Sequence, residues 1–114
     1  MEFTAYLEER HKVMQQEAQA LMMDQRKDEG RAMMAKANIY QVFKAVYETA
    51  LKTEADKEAA HEKFIRQLSV ISAPWEEHLN QARKHGDAME ELIEVYKMEA
   101  VEEIRDTFLR GEMA

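Results

Sequence analysis

The run Ala82-Arg83-Lys84-His85-Gly86-Asp87-Ala88-Met89-Glu90-Glu91-Leu92-Ile93 decides the fold. Gly86 suits the left-handed conformation that stops many helices, and Asp87 followed by Glu90 has the spacing of a helix cap with its reciprocal acid. One helix therefore ends and another begins, at about residue 88, within a very short stretch. So short a connection makes the two helices antiparallel neighbours.

Downstream, Met89, Ile93, Tyr96, Ala100, Ile104 and Phe108 recur on one face of a helix that is expected to fray at Arg110-Gly111. Upstream, Ala60, His61, Phe64, Leu68, Ile71, Trp75, Leu79 and Ala82 follow one another at steps that keep a single helical face. That series passes in phase through Pro74, which has no amide hydrogen and clashes with the preceding turn. The expectation is a kink or a restart there, with Ser72 as the cap of the second piece. Thr53 followed by Asp56 has the spacing of a capping box and marks the start of this helix.

Two more amphipathic segments precede it. The second helix carries Met33, Tyr40, Phe43, Tyr47, Ala50 and Leu51 on one face, widened by Ile39 and Val46, and stops near Lys52. The first carries Phe3, Leu7, Met14, Ala18 and Leu21, flanked by Tyr6 and Val13. Between them, Asp24-Gln25-Arg26-Lys27-Asp28-Glu29-Gly30-Arg31 has no apolar side chain and reads as a solvated turn. The fold expected is all-α: an antiparallel up-and-down four-helix bundle of nearly matched helices, the third kinked or broken at Pro74, in a single domain over residues 1–114.

Composition narrows the function. With 114 residues, 46% of them apolar, the chain supports one core, and three Gly and one Pro leave its helices largely uninterrupted. A net charge of −7 without a basic cluster argues against binding nucleic acid. Without Cys there are no disulfides, thiolate sites or cysteine nucleophile. The start Met1-Glu2-Phe3-Thr4-Ala5-Tyr6 lacks the features of a signal peptide, and no apolar run is long enough for a membrane helix, so a cytoplasmic location and no membrane contact are expected.

The sharpest chemical pattern is a pair of Glu-x-x-His motifs, Glu8 to His11 and Glu58 to His61, the type that builds dimetal sites in helical bundles. Angular projection weakens it, because Glu8, Glu48 and Glu58 point well away from their helices' apolar faces. Glu58, His61 and Glu103 remain as the candidate ligands of a metal- or small-ligand-binding alternative. His78 and His85 stand two turns apart, too far to share one ion comfortably. Ser69 and Ser72 sit in no nucleophile elbow, and there is no phosphate-cradling loop. Neither catalysis nor a cofactor is expected.

Two features point instead to contacts. Arg10 and Glu17 project onto the apolar face of the first helix, where they either snorkel to its rim or meet opposite charges on another helix or another subunit that fix register. Nine methionines are far more than ordinary, and Met22, Met23, Met33, Met34 and Met89 gather at one end of an up-and-down bundle. Methionine adapts to varied apolar partners, so these five are the candidate partner-binding residues. Val42, Met23, Met34 and Leu92 lie off the internal faces, which makes a homodimer a reasonable expectation. The outer side of the fourth helix, with Glu90, Glu91, Glu94, Glu99, Glu102, Glu103 and Asp106, is a second candidate surface, for a basic partner. The reading is a non-enzymatic interaction or self-association module.

Overall fold

The computed structural model describes residues 2–113 and contains four helices, α1 Phe3–Met23, α2 Lys27–Thr53, α3 Lys57–His85 and α4 Ala88–Met113. They run up and down as an antiparallel bundle measuring 46 × 31 × 23 Å. Helices α2 to α4 have 27, 29 and 26 residues, but α1 has only 21, so it is shorter than the matched set expected.

The corner between α3 and α4 forms as its sequence requires. Gly86 takes φ 70°, its amide donates to the Arg83 carbonyl, and the Asp87 amide donates to the Ala82 carbonyl at 2.8 Å. This is the paired closure that satisfies a helix's last carbonyls. Asp87 then accepts from the Glu90 amide at 3.1 Å and starts α4.

The other boundaries correct the reading. The cap of α3 is Asp56, which accepts from the Ala59 amide at 2.8 Å, while Thr53 still belongs to α2 and donates to the Thr49 carbonyl. The acid read as the third position of a box is itself the cap, a place where Asp is among the best residues. The polar octet is mostly helix too. Only Asp24, Gln25 and Arg26 lie between α1 and α2, with Gln25 at φ 62°. Asp28 and Glu29 enter the first turn of α2, where the helix dipole favours acids. Gly30 serves close packing and not a turn: a Cβ there would come within 3.0 Å of the Met22 side chain.

Helix α3 is continuous through Pro74, so Ser72 caps nothing. Its hydroxyl donates back to the Leu68 carbonyl at 2.6 Å. Pro74 and Val70 are both exposed, so the carbonyl of Val70, which proline cannot satisfy, lies on the solvent side of the helix. At the other end, α4 continues through Arg110 and Gly111 to Met113 and does not fray where expected.

The cross-section is a rhombus and not a square. Helix α2 lies against α1, α3 and α4, whereas α1 and α4 scarcely approach and the α1 and α3 backbones do not meet. Small residues bring α1 and α2 together. Ala18, Ala32 and Ala37 are buried, and His11 reaches across to the Ala37 carbonyl at 2.9 Å. The main core comprises Leu7, Met14, Tyr40, Phe43, Tyr47, Phe64, Leu68, Val101, Ile104 and Phe108. Each large side chain removed from water contributes about 1.5 to 3 kcal/mol.

Because α4 touches all three other helices, its covered surface is wider than one stripe. Ala100, Ile104 and Phe108 are buried as expected, but so are Val101 and Glu94, while Met89, Ile93 and Tyr96 are only half covered.

Candidate functional site

The polar centre of the molecule is Glu103. The hydroxyls of Tyr6 and Tyr40 donate to its Oε2 at 2.6 and 2.7 Å, and Arg10 adds Nε to Oε2 and Nη2 to Oε1, both at 3.1 Å. Thr107 donates in turn to the Tyr6 oxygen at 3.2 Å. Burial would raise the carboxyl pKa of Glu103, but the hydrogen bonds from Tyr6, Tyr40 and Arg10 outweigh it and hold the group below the ordinary carboxylate range. Burial, reinforced by Glu103, pushes both tyrosines far up, so they remain hydroxyl donors.

Arg10 thus meets an opposite charge on another helix while its side chain stays 30% exposed. Glu17 does not: it is exposed and forms no ion pair among the described residues. Glu103 is also removed from the acidic outer face on which it was placed.

Glu94, the other residue wrongly placed on that face, is 2% exposed. Its Oε1 accepts from Lys97 Nζ at 3.2 Å and faces His78 Nδ1 at 3.8 Å, while its Oε2 has no hydrogen-bond partner among the described residues. Burial raises its pKa, and Glu90 adds to the rise against the opposing charge of Lys97. The Lys97 ammonium lies 4.5 Å from the Trp75 ring centre, a cation–π contact that keeps it beside Glu94.

The alternative ligand set does not gather. Glu58 is exposed, both oxygens of Glu103 are engaged, and His61 is buried with Nε2 3.3 Å from the Tyr47 hydroxyl and its ring against Phe108. Among the described residues no group of three His, Asp or Glu is placed to hold a metal ion.

The five methionines divide. Met22, Met23 and Met34 are 37, 87 and 40% exposed at the α1–α2 corner, whereas Met33 and Met89 are half-buried. Met33 forms part of the floor of a trough of about 550 Å³ over α2, where α1 and α4 scarcely approach each other. Leu21 and Tyr96 share that floor, and Glu17, Asp24 and the ion pair of Arg26 with Glu29 line it above. It opens because α1 meets α4 through Phe3, Tyr6 and Arg10, all toward the other end of α1.

Sequence reasoning missed the Glu103 network, Glu94 and the trough. One signal for the first was present: Tyr40 lay on a core face, and a buried tyrosine hydroxyl calls for an acceptor. Nothing local signals the trough, which depends on how helices distant in sequence diverge.

Among the described residues no helix is long and apolar enough to cross a membrane. Comparison of the chain with protein-family models, with curated proteins and with solved structures finds no match, and its function must therefore be argued from its own surfaces.

Proposed function

We propose that this protein is a non-enzymatic protein–protein interaction module whose contact surface is the methionine-bearing corner of α1 and α2. The observation that carries this reading is that Met22 and Met23, the last residues of α1, and Met34, two turns into α2, are all exposed, Met23 to 87%. The other large exposed apolar residues, Leu51, Val70 and Leu109, belong to three different helices and form no comparable cluster in the sequence. An unbranched thioether side chain repacks at little cost, which suits a surface that must fit a partner. Large apolar residues exposed near one another along the chain are the usual material of contact sites, whereas singly scattered ones need no explanation. Self-association through the same corner is the simplest form of the proposal.

A photo-reactive residue placed at position 23, in the cell that makes the protein, tests it against the same residue at position 70, which is comparably exposed on α3. The expected result is a discrete adduct from position 23 alone, either of a second copy or of another protein. Adducts from neither position, or equally from both, would overturn the reading. Sedimentation of the purified chain, with and without Met23→Lys and Met34→Lys, identifies the self-associating form.

A further inference from the structure

We propose that the trough between α1 and α4 is a docking site for a cationic amphipathic helix supplied by a partner protein. The inference goes beyond the interaction reading above, because none of Met22, Met23 and Met34 lines this trough, and it takes a partner of stated chemistry.

Shape is the first argument. Helices α1 and α4 both pack on α2 but scarcely approach each other, and the space left between them is lined by Glu17, Ala20 and Leu21 of α1, Met33 of α2 and Tyr96 of α4. The space measures about 550 Å³. Two turns of an amphipathic helix present about three to four apolar side chains, which is the kind of feature a groove walled by helices receives. Leu21, Met33 and Tyr96 are each half-buried, so a visiting apolar face would complete their burial.

Charge is the second argument, and it chooses the occupant. Glu17, Asp24 and Glu29 stand on the trough with Arg26 as the only cation among its lining residues, and Arg26 is already paired with Glu29. Lys36 passes over the Tyr96 ring at 5.8 Å but is engaged by Glu99 at 3.3 Å. The rim therefore keeps the negative charges of Glu17 and Asp24, and Glu17 has no ion-pair partner within the described chain. A second copy of this chain, with a net charge of −7, would bring like charge to that rim. A helix with an apolar stripe flanked by Lys or Arg satisfies both floor and rim.

The probe is a fluorescein-labelled helical peptide with leucine on one face and lysine on the other, titrated with the full chain and followed by anisotropy. Two double variants carry the same change in charge. Glu17→Lys with Asp24→Lys alters the trough, and Glu102→Lys with Asp106→Lys alters exposed positions on α4. All four sites are on the surface, and circular dichroism confirms that the helices persist.

Binding is expected to weaken about tenfold in the trough variant, the sum of two modest rim attractions turned to repulsions, and to change much less in the α4 variant. Amide shifts of the parent protein should map to Leu21, Met33 and Tyr96. Absence of binding, equal weakening in both variants, or shifts centred elsewhere would overturn the proposal. A discrete adduct from position 23 alongside any of those outcomes would leave the interaction reading standing, so the two can fail separately.

Discussion

Glu94 and Glu103 stand nine residues apart on one helix, half a turn out of phase, so they face opposite sides of α4. Their surroundings differ as much as their directions. Glu103 faces α1 and α2 and meets four donor contacts from Tyr6, Tyr40 and Arg10, whereas Glu94 faces α3 with one close donor and one oxygen unpartnered among the described residues. The first carboxyl is held below its ordinary range and the second is pushed above it. A buried carboxylate supports a fold only to the extent that donors replace its water. On that basis one end of α4's interior is clamped and the other is under strain of charge.

The largest effect should come from breaking the clamp. Glu103→Ala leaves two tyrosine hydroxyls and a guanidinium without their acceptor. With the carboxylate side chain 35% exposed, the expected loss is about 2 kcal/mol in urea unfolding at neutral pH. A loss within error would mean that the network is ornamental and that the contrast with Glu94 is empty.

Next, Glu94→Gln should act in the opposite direction and stabilise the protein by about 1 kcal/mol at neutral pH, because an amide removes the buried charge and keeps an acceptor for Lys97. The pH dependence sharpens this. A carboxyl with a raised folded pKa contributes stability that is present below the ordinary carboxyl value, about 4, and is lost as pH rises through the folded value. Glu103 does the reverse: its contribution is present above the ordinary value and is lost as pH falls through the lowered one. Unfolding followed upward from pH values near 4 should therefore lose less stability in Glu94→Gln than in the parent. Identical slopes would remove the case for a strained Glu94.

The smallest effects separate the members of the clamp. Tyr40→Phe, at a fully buried position, is expected to cost about 1 kcal/mol, and Tyr6→Phe, at a half-buried one, about half of that. Both costs should shrink when Glu103 is already Ala, since residues of one network do not act additively. Additive losses would show that the tyrosines act through packing alone.

Much of the fold was legible along the chain. The corner at Gly86 and Asp87 was readable because both its hydrogen bonds and its left-handed residue lie within a few positions of each other. The corner near Thr53 was misread by three residues, since the same acid can serve as a cap or as the third residue of a box, and letters alone do not choose. Pro74 was expected to bend or break α3. The helix is unbroken there, so the restart at Ser72 does not occur, and the exposure of Pro74 and Val70 leaves the freed carbonyl on the solvent side. Of the candidate site residues, Arg10 was recognised as needing a partner, and Met23 and Met34 as lying off the internal faces, while the exposure of Met22 was not foreseen. The partner of Arg10 was hidden among residues taken for a solvated acidic face.

By itself the sequence determined what is local: four amphipathic periods, their approximate ends, and the antiparallel order that short connections impose. These follow from forces acting within one or two helical turns. Only the tertiary structure decided which sides of α4 are covered, and with them the fates of Glu94 and Glu103. Helical periodicity gives the direction of a side chain, but water is excluded there only when other helices arrive. The donors that make Glu103 tolerable come from Tyr6 and Tyr40, 97 and 63 residues away, and no spacing along the chain encodes that meeting.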